Sequence, residues 1–437
     1  MRNGRSAPAA ASLPGLTSEH SKPSIYRQLH EIRESLHRDA NDPLLWIDLA
    51  LLYTTLGQYR PAMRSMNAAL ALAPNSRLAI RCATRMYVHY GELDRALSLL
   101  RRNEKTEADP WLISAEIATA EIGQRKPKFV RQAQRLVETY ASTPGFLTEL
   151  AGTLATTFGK AGNRKAAKRL LQVSLLEPND NSIAQAFWMQ RSLPNLIQPH
   201  KSLLLYDRVY EARALQTFEE GRWNDALANS ISWLDDEPYS TRPAILGSFI
   251  ASTFLRDFKQ ADAIARRGLS ANPDDIFLLN NHAYALANLG LFPEAETIVL
   301  SFPRSFAQSP EYSTLLATRG LIAFKRGDID FGRKCYETAL FASSKRTDAL
   351  TWRAFHCLHY ALAELESLTP AWENLLRLFR ATDLSATAVP RQFRMAIRFL
   401  LDQVISIVAR RLQLDADIHI PELLDQLRTS LKTASID

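Results

Sequence analysis

The chain has 437 residues, 46% of them apolar and 23% charged, with a formal net charge of +7. Its 16 glycines are about half the usual share, which argues against glycine-rich nucleotide loops and against a sheet-rich fold. No run approaches the roughly 18 uninterrupted apolar residues of a membrane span, and three scattered cysteines (Cys82, Cys335 and Cys357) give neither a disulfide framework nor a zinc-binding pair. These features predict a soluble protein of a reducing cytoplasm.

Residues 1–23 are rich in Ala, Ser, Pro and Gly, lack the apolar core of a signal peptide and read as a disordered lead. Ser24 to Arg38 reads as one capping helix. From Pro43 onward a period of about 34 residues sets in. Gly57, Ala62 and Pro74 recur at the same spacing as Gly221, Ala226 and Pro238, and Ala261 with Pro273 carries the pattern one unit further. Ahead of Gly57, the residues Trp46, Leu49, Ala50 and Tyr53 fall at i, i+3, i+4 and i+7, one face of a helix. Gly91 follows Gly57 by one period, Gly123 marks a weak third unit, and Gly162, Ala166 and Pro178 mark a fourth. Between Asn181 and Lys201 the period is lost. It returns over 207–346, with Gly221 and Trp223, Phe258 and Ala261, Gly290 and Ala295, then Gly320, Gly327, Tyr336 and Ala339. Four more helical stretches follow, Ala349–Glu366, Ala371–Arg380, Pro390–Leu412 and Pro421–Leu431.

The physical content of the marks is separable from any name. Ala50 and Ala62 are small where two helices must approach, a glycine at position 57 tolerates a left-handed turn, and Pro74 cannot continue a helix. A single helix pair cannot bury its own apolar stripe, so successive pairs must stack.

The Trp, Leu, Ala, Tyr, Gly, Ala and Pro positions of Pro43–Ser76 resemble the tetratricopeptide repeat, a helix–turn–helix unit. The resemblance covers roughly seventy per cent of the chain and implies an all-α fold, a right-handed α-solenoid of about eight helix–turn–helix repeats with helical caps. The expected organisation is a lead (1–23), an amino-terminal stack with its capping helix (24–180), an irregular insert or hinge (181–206), a carboxy-terminal stack (207–346) and a helical cap (347–437).

No catalytic, cofactor or metal site is predicted. His356 and His359 share a helix face at i, i+3, but the other histidines add no second pair of zinc ligands. The phosphate-binding loop, the dinucleotide glycine pattern, the helix metalloprotease pattern and the nucleophile elbow are all missing. Acidic pairs such as Asp274 and Asp275 stand at repeat ends, where carboxylates cap the next helix.

What the resemblance implies is a concave groove lined by the first helix of each pair. Carried over by position, the groove residues include Leu44, Ile47, Asp48, Leu51, Thr54 and Thr55 in the first unit, Phe254 in the sixth, Asn280, Asn281, Tyr284 and Asn288 in the seventh, and Phe324 in the eighth. A groove of mixed apolar and amide character suits a protein or peptide segment with aliphatic anchors. The expected function is a non-catalytic scaffold or adaptor with a protein partner. The alternative is a nucleic-acid-associated regulator or defence component, in which Arg125, Lys126, Lys128, Lys165 and Arg169 merge into one basic patch that contacts phosphates.

Overall fold

The computed structural model describes residues 22–140, 143–193, 196–302, 306–307, 309, 311–344, 346, 348–384 and 390–414. Among them every regular element is helical and no strand occurs, so the fold is all-α and built of stacked helix pairs. The lead up to residue 21 and the helix expected over Pro421–Leu431 lie outside the described residues.

The chain divides into two compact units. Of the described residues, the first holds 22–139 together with 231–238. It begins with α1 (Lys22–Arg38), followed by the pairs α2 (Pro43–Thr55) and α3 (Tyr59–Leu72), α4 (Arg77–His89) and α5 (Leu93–Arg102), and α6 (Pro110–Ile122) and α7 (Val130–Thr139). The first helices pack side by side, α2 on α4 and α4 on α6. Each starts at a side-chain cap. Asp42, Ser76 and Asp109 accept hydrogen bonds from the backbone N–H groups of Leu44, Ala79 and Trp111, which satisfies donors that the first helical turn leaves open.

The second unit holds the described residues from 140 to 230 and from 239 to 414. It contains α8 (Pro144–Lys160), α9 (Arg164–Ser174), α10 (Asp180–Ser192), α11 (Tyr210–Glu219) and the start of α12 (Trp223–Asp236). Then come α13 (Thr241–Thr253), α14 (Phe258–Ala271), α15 (Ile276–Asn288), α16 (Phe292–Leu300), α17 (Tyr312–Arg326) and α18 (Ile329–Ser343). The last are α19 (Ala349–Glu366), α20 (Trp372–Arg380) and α21 (Arg391–Leu414).

Two expectations about organisation change. The chain divides at Thr139, not within 181–206, and much of that supposed insert is the helix α10. A capping box between Asn179 and Ser182 starts α10, and Ile183, Ala186 and Phe187 bury its inner face. Among the described residues, only the short 3-10 helix Lys201–Leu205 lies between α10 and α11, where a full second helix would complete the repeat.

The repeat marks do what their chemistry dictates. Ala50, Ala62, Ala226 and Ala261 are fully buried, where a larger side chain would hold paired helices apart. Gly57 and Gly91 take φ of 69° and 74°, in the left-handed region that a β-carbon disfavours. In the third unit the left-handed residue is Gln124 (φ 51°), one position after the expected Gly123, and in the sixth it is Arg256 (φ 53°). Asp275 caps α15 by accepting from the Leu278 N–H at 2.9 Å, as expected of a carboxylate at a repeat end.

Candidate protein-binding groove

In the second unit α21 lies along α11 and α19 and shares one small chamber with residues of α13, α15 and α17. Its Phe399 ring lies edge-on to Trp223 (centroids 5.7 Å apart) and to Phe254 (5.3 Å), and its Phe393 is edge-on to Phe355 of α19 at 5.9 Å. Ala396, Ile397, Leu400, Leu401, Val404 and Val408 are buried. Within Phe393–Arg411, only Asp402, Ser406 and Arg410 are exposed, one stripe at i, i+4 and i+8. The sequence assigned this helix to covering the end of the stack. Instead it returns to α11, and the face of the second unit that was expected to stay open is filled by the chain's own helix.

This geometry relocates the expected groove residues. Phe254 is buried, stacked on Trp223 at 4.0 Å. Phe324 is buried against Tyr336 and Tyr360, whose rings stack 5.0 Å apart. Asn280 is buried, and its Oδ1 accepts from the Thr318 hydroxyl at 2.8 Å, joining α15 to α17. Asn281 is half-buried and donates to the Ser248 hydroxyl (2.9 Å) and the Ile245 carbonyl (3.2 Å), joining α15 to α13. Asn288 is half-buried and donates to the Tyr284 carbonyl at 2.9 Å. Phe254, Phe324 and Asn280 are therefore withdrawn from the surface by packing, and the amides of Asn280 and Asn281 tie neighbouring first helices together.

Tyr284 and Asn288 line a small chamber with Arg256, His359 and Glu366, closed on one side by Leu400 and Gln403 of α21. Its free volume is about 30 Å³, room for about one water molecule. Burial, with the Glu366 charge, pushes the Tyr284 hydroxyl up to about 12. Burial holds His359, edge-on to Tyr284 at 5.8 Å, down to about 4. Burial alone would raise the Glu366 carboxyl, but Lys325 (2.8 Å) and Arg256 (3.1 Å) hold it below its ordinary range. At neutral pH the chamber thus holds a neutral imidazole, a neutral phenol and an ion-paired carboxylate. His356 lies against Trp352 and is held down to about 3 by burial. Among the described residues no group of His, Cys, Asp and Glu side chains is arranged to hold a metal ion.

The first unit presents a different inner face. Leu44 and Leu78, one period apart near the starts of α2 and α4, are 52% and 51% exposed. One turn further along the same helix sides come Asp48 and Cys82. Arg81 lies 4.7 Å from the Trp111 ring centroid, bridging α4 to α6. Burial raises the Cys82 thiol, an effect eased by Arg85 and Arg81 and reinforced by Asp48. Arg85 pairs with Glu237 at 2.8 Å in the 231–238 segment of the same unit. Of the residues expected here, Ile47, Thr54 and Thr55 are buried and Leu51 is half-buried.

Residues 44–76, the unit with the fullest set of marks, match the family model described as Tetratricopeptide repeat. That match places one tetratricopeptide repeat at α2 and α3. No curated protein matches the sequence of the chain. Among solved structures the chain is similar to yeast Tom70, at 14% identity with 96% of this chain and 94% of that chain covered and a TM-score of 0.30. It is also similar to Naa15/Naa10 bound to HypK-THB (11% identity, 95% and 90% covered, TM-score 0.28) and to the APC/C hetero-tetramer Cut9–Hcn1 (13%, 95% and 99%, 0.25).

The basic residues are all exposed. Arg125, Lys126 and Lys128 belong to the first unit and Lys165 and Arg169 to the second. Arg125 has Asp94 at 3.6 Å, and Lys128 has Glu107 at 4.0 Å. Among the described residues no helix is long and apolar enough to cross a membrane.

Proposed function

We propose that this repeat protein is a non-catalytic scaffold that binds a protein segment along the first helices of its pairs. The observation that supports the reading most is α21 itself. A helix with buried Ile397, Leu400, Leu401, Val404 and Val408 is seated against the first helices of the second unit. A surface that accepts one amphipathic helix through an apolar stripe has the chemistry of helix-in-groove recognition. In the first unit, Leu44 and Leu78 with Asp48 and Arg81 between and beside them offer a face of the same kind, apolar anchors set among charges.

The nucleic-acid alternative has weaker support. Acidic neighbours face Arg125 and Lys128, and such partners compete with phosphate for the same guanidinium and ammonium groups. The test is affinity capture with the full-length chain beside a Leu44→Arg, Leu78→Arg variant. The proposal expects a discrete protein partner with the wild type, lost with a variant of unchanged helicity. A wild-type chain that retains nucleic acid and no protein at near-physiological salt would contradict it.

A further inference from the structure

We propose that α21 is a resident ligand of the groove in the second unit, and that an amphipathic helix of a partner protein takes its place. The proposal rests on reading the inner faces as protein-binding surfaces, and it names the partner's chemistry and the regulation of that site.

The seat is held together without its occupant. Asn281 joins α15 to α13, Thr318 and Asn280 join α17 to α15, and Glu366 of α19 holds Arg256, just beyond α13, and Lys325 of α17. Every one of these bonds runs between groove elements, and α21 takes part in none of them. Removing α21 therefore leaves the frame joined while uncovering an apolar, aromatic surface around Trp223 and Phe254.

That surface dictates what can replace the helix. Water cannot fill it without exposing the apolar area now buried by Ile397, Leu400, Leu401, Val404 and Val408. A replacement must carry apolar side chains at i, i+3 or i+4, i+7 and i+11, with an aromatic ring at the Phe399 position to enter beside Trp223 and Phe254. The middle of the seat is the small polar chamber, where Gln403 faces Tyr284, Asn288 and His359. There the partner needs a polar or small residue.

The experiment uses the full-length chain and a labelled peptide of residues 391–414. A tethered helix competes at an effective concentration on the order of millimolar, so wild type should bind the peptide at least about 100-fold more weakly than a Leu401→Asp, Val404→Asp chain in which α21 is displaced. Peptide carrying the same two changes should bind neither. A variant of unchanged helicity that fails to bind wild-type peptide, or a wild-type chain that binds it equally well, overturns the proposal.

Should that variant unfold, hydrogen exchange of chains with α21 intact supplies the answer. The β-carbon of Met395 lies 3.8 Å from where a β-carbon on residue 221 would stand, about the separation that a disulfide requires. In a Gly221→Cys, Met395→Cys chain, where the strain of a side chain at φ of 71° is common to both redox forms, oxidation should slow α21 exchange at least about tenfold relative to the reduced form of the same chain. In wild type, α21 should exchange faster than α19. Exchange of α21 no faster than that of α19 overturns the proposal. Neither arm involves a cellular partner, so a failure here leaves the capture result standing, and a failed capture leaves this one standing.

Discussion

Asn281 donates its Nδ2 hydrogen to the hydroxyl of Ser248 across 2.9 Å, and that hydroxyl donates onward to the Ala244 carbonyl. The bond ties α15 to α13. Its neighbour Asn280 does the same toward α17 through Thr318. Two adjacent amides on one helix therefore reach to opposite neighbours, and both contribute to stability.

Their substitutions should differ in cost. Asn280→Ala leaves the buried Thr318 hydroxyl without its acceptor and should cost about 1–3 kcal/mol. Asn281→Ala leaves Ser248 with its backbone acceptors, so the loss should stay near ~1 kcal/mol. Asn288→Ala should change stability least, since its amide bonds the carbonyl and the side chain of Tyr284, both on its own helix. Chemical denaturation of the three single variants checks the order, and equal costs would show that these amides are not what joins the helices.

The repeat alanines give a second prediction. Ala226 and Ala261 have no exposed surface, so leucine at either should overpack the contact between paired helices and cost about 1–3 kcal/mol. Melting temperatures unchanged in both variants would contradict the packing described for α11 to α14.

Two glycines separate backbone strain from crowding. Gly290 has φ of 80° and open space where a β-carbon would stand, so Gly290→Ala should cost about 1–2 kcal/mol through conformation alone, and Gly290→Asn less. At Gly320 a β-carbon would meet the Tyr336 ring at 2.7 Å and the Gly332 carbonyl oxygen at 3.1 Å, in a backbone without strain. Gly320→Ala should cost about 1–3 kcal/mol, and a smaller residue at 336 should recover part of it. Thermal unfolding of Gly320→Ala with and without Tyr336→Leu is the check.

Stability should fall on mild acidification. Burial holds His356 at about 3 and His359 at about 4, so both stay neutral in the folded chain as pH drops below the ordinary imidazole value of 6.5. The unfolded chain takes up those protons, and stability is lost from about pH 6.5 downward toward the folded values. At about 1.4 kcal/mol per pH unit, the fully buried His356 alone should cost about 2 kcal/mol by pH 5. His89 and His282, also held down by burial, act in the same direction. The melting temperature of a His356→Gln, His359→Gln chain should decline less steeply between pH 7.5 and 5 than that of the wild type. Parallel declines would contradict the assignment.

Much of the fold is legible in the spacing of small residues, and much of the site is not. Gly57 and Gly91 announce their turns because few residues other than glycine adopt a left-handed backbone cheaply. Arg256 does not, since it adopts that backbone only under tertiary constraint, with its guanidinium on Glu366. The position of Asn280 on a first helix is readable, but its burial under the next pair depends on how closely α17 approaches. The periodic apolar residues from Phe393 to Val408 declare a helix. They carry no local mark of its return to α11, because a contact between Phe399 and Trp223 joins residues far apart in the chain.

A protein segment bound on the first helices should be within reach of side chains that stand on them. Photo-crosslinking tests it most directly, with a photoreactive residue placed at Leu78 on α4 in one chain and at Leu72, exposed on α3 of the same unit, in another. One discrete protein adduct is expected from position 78 and none from position 72. Equal protein adducts from both positions, or adducts to nucleic acid alone, would contradict such binding.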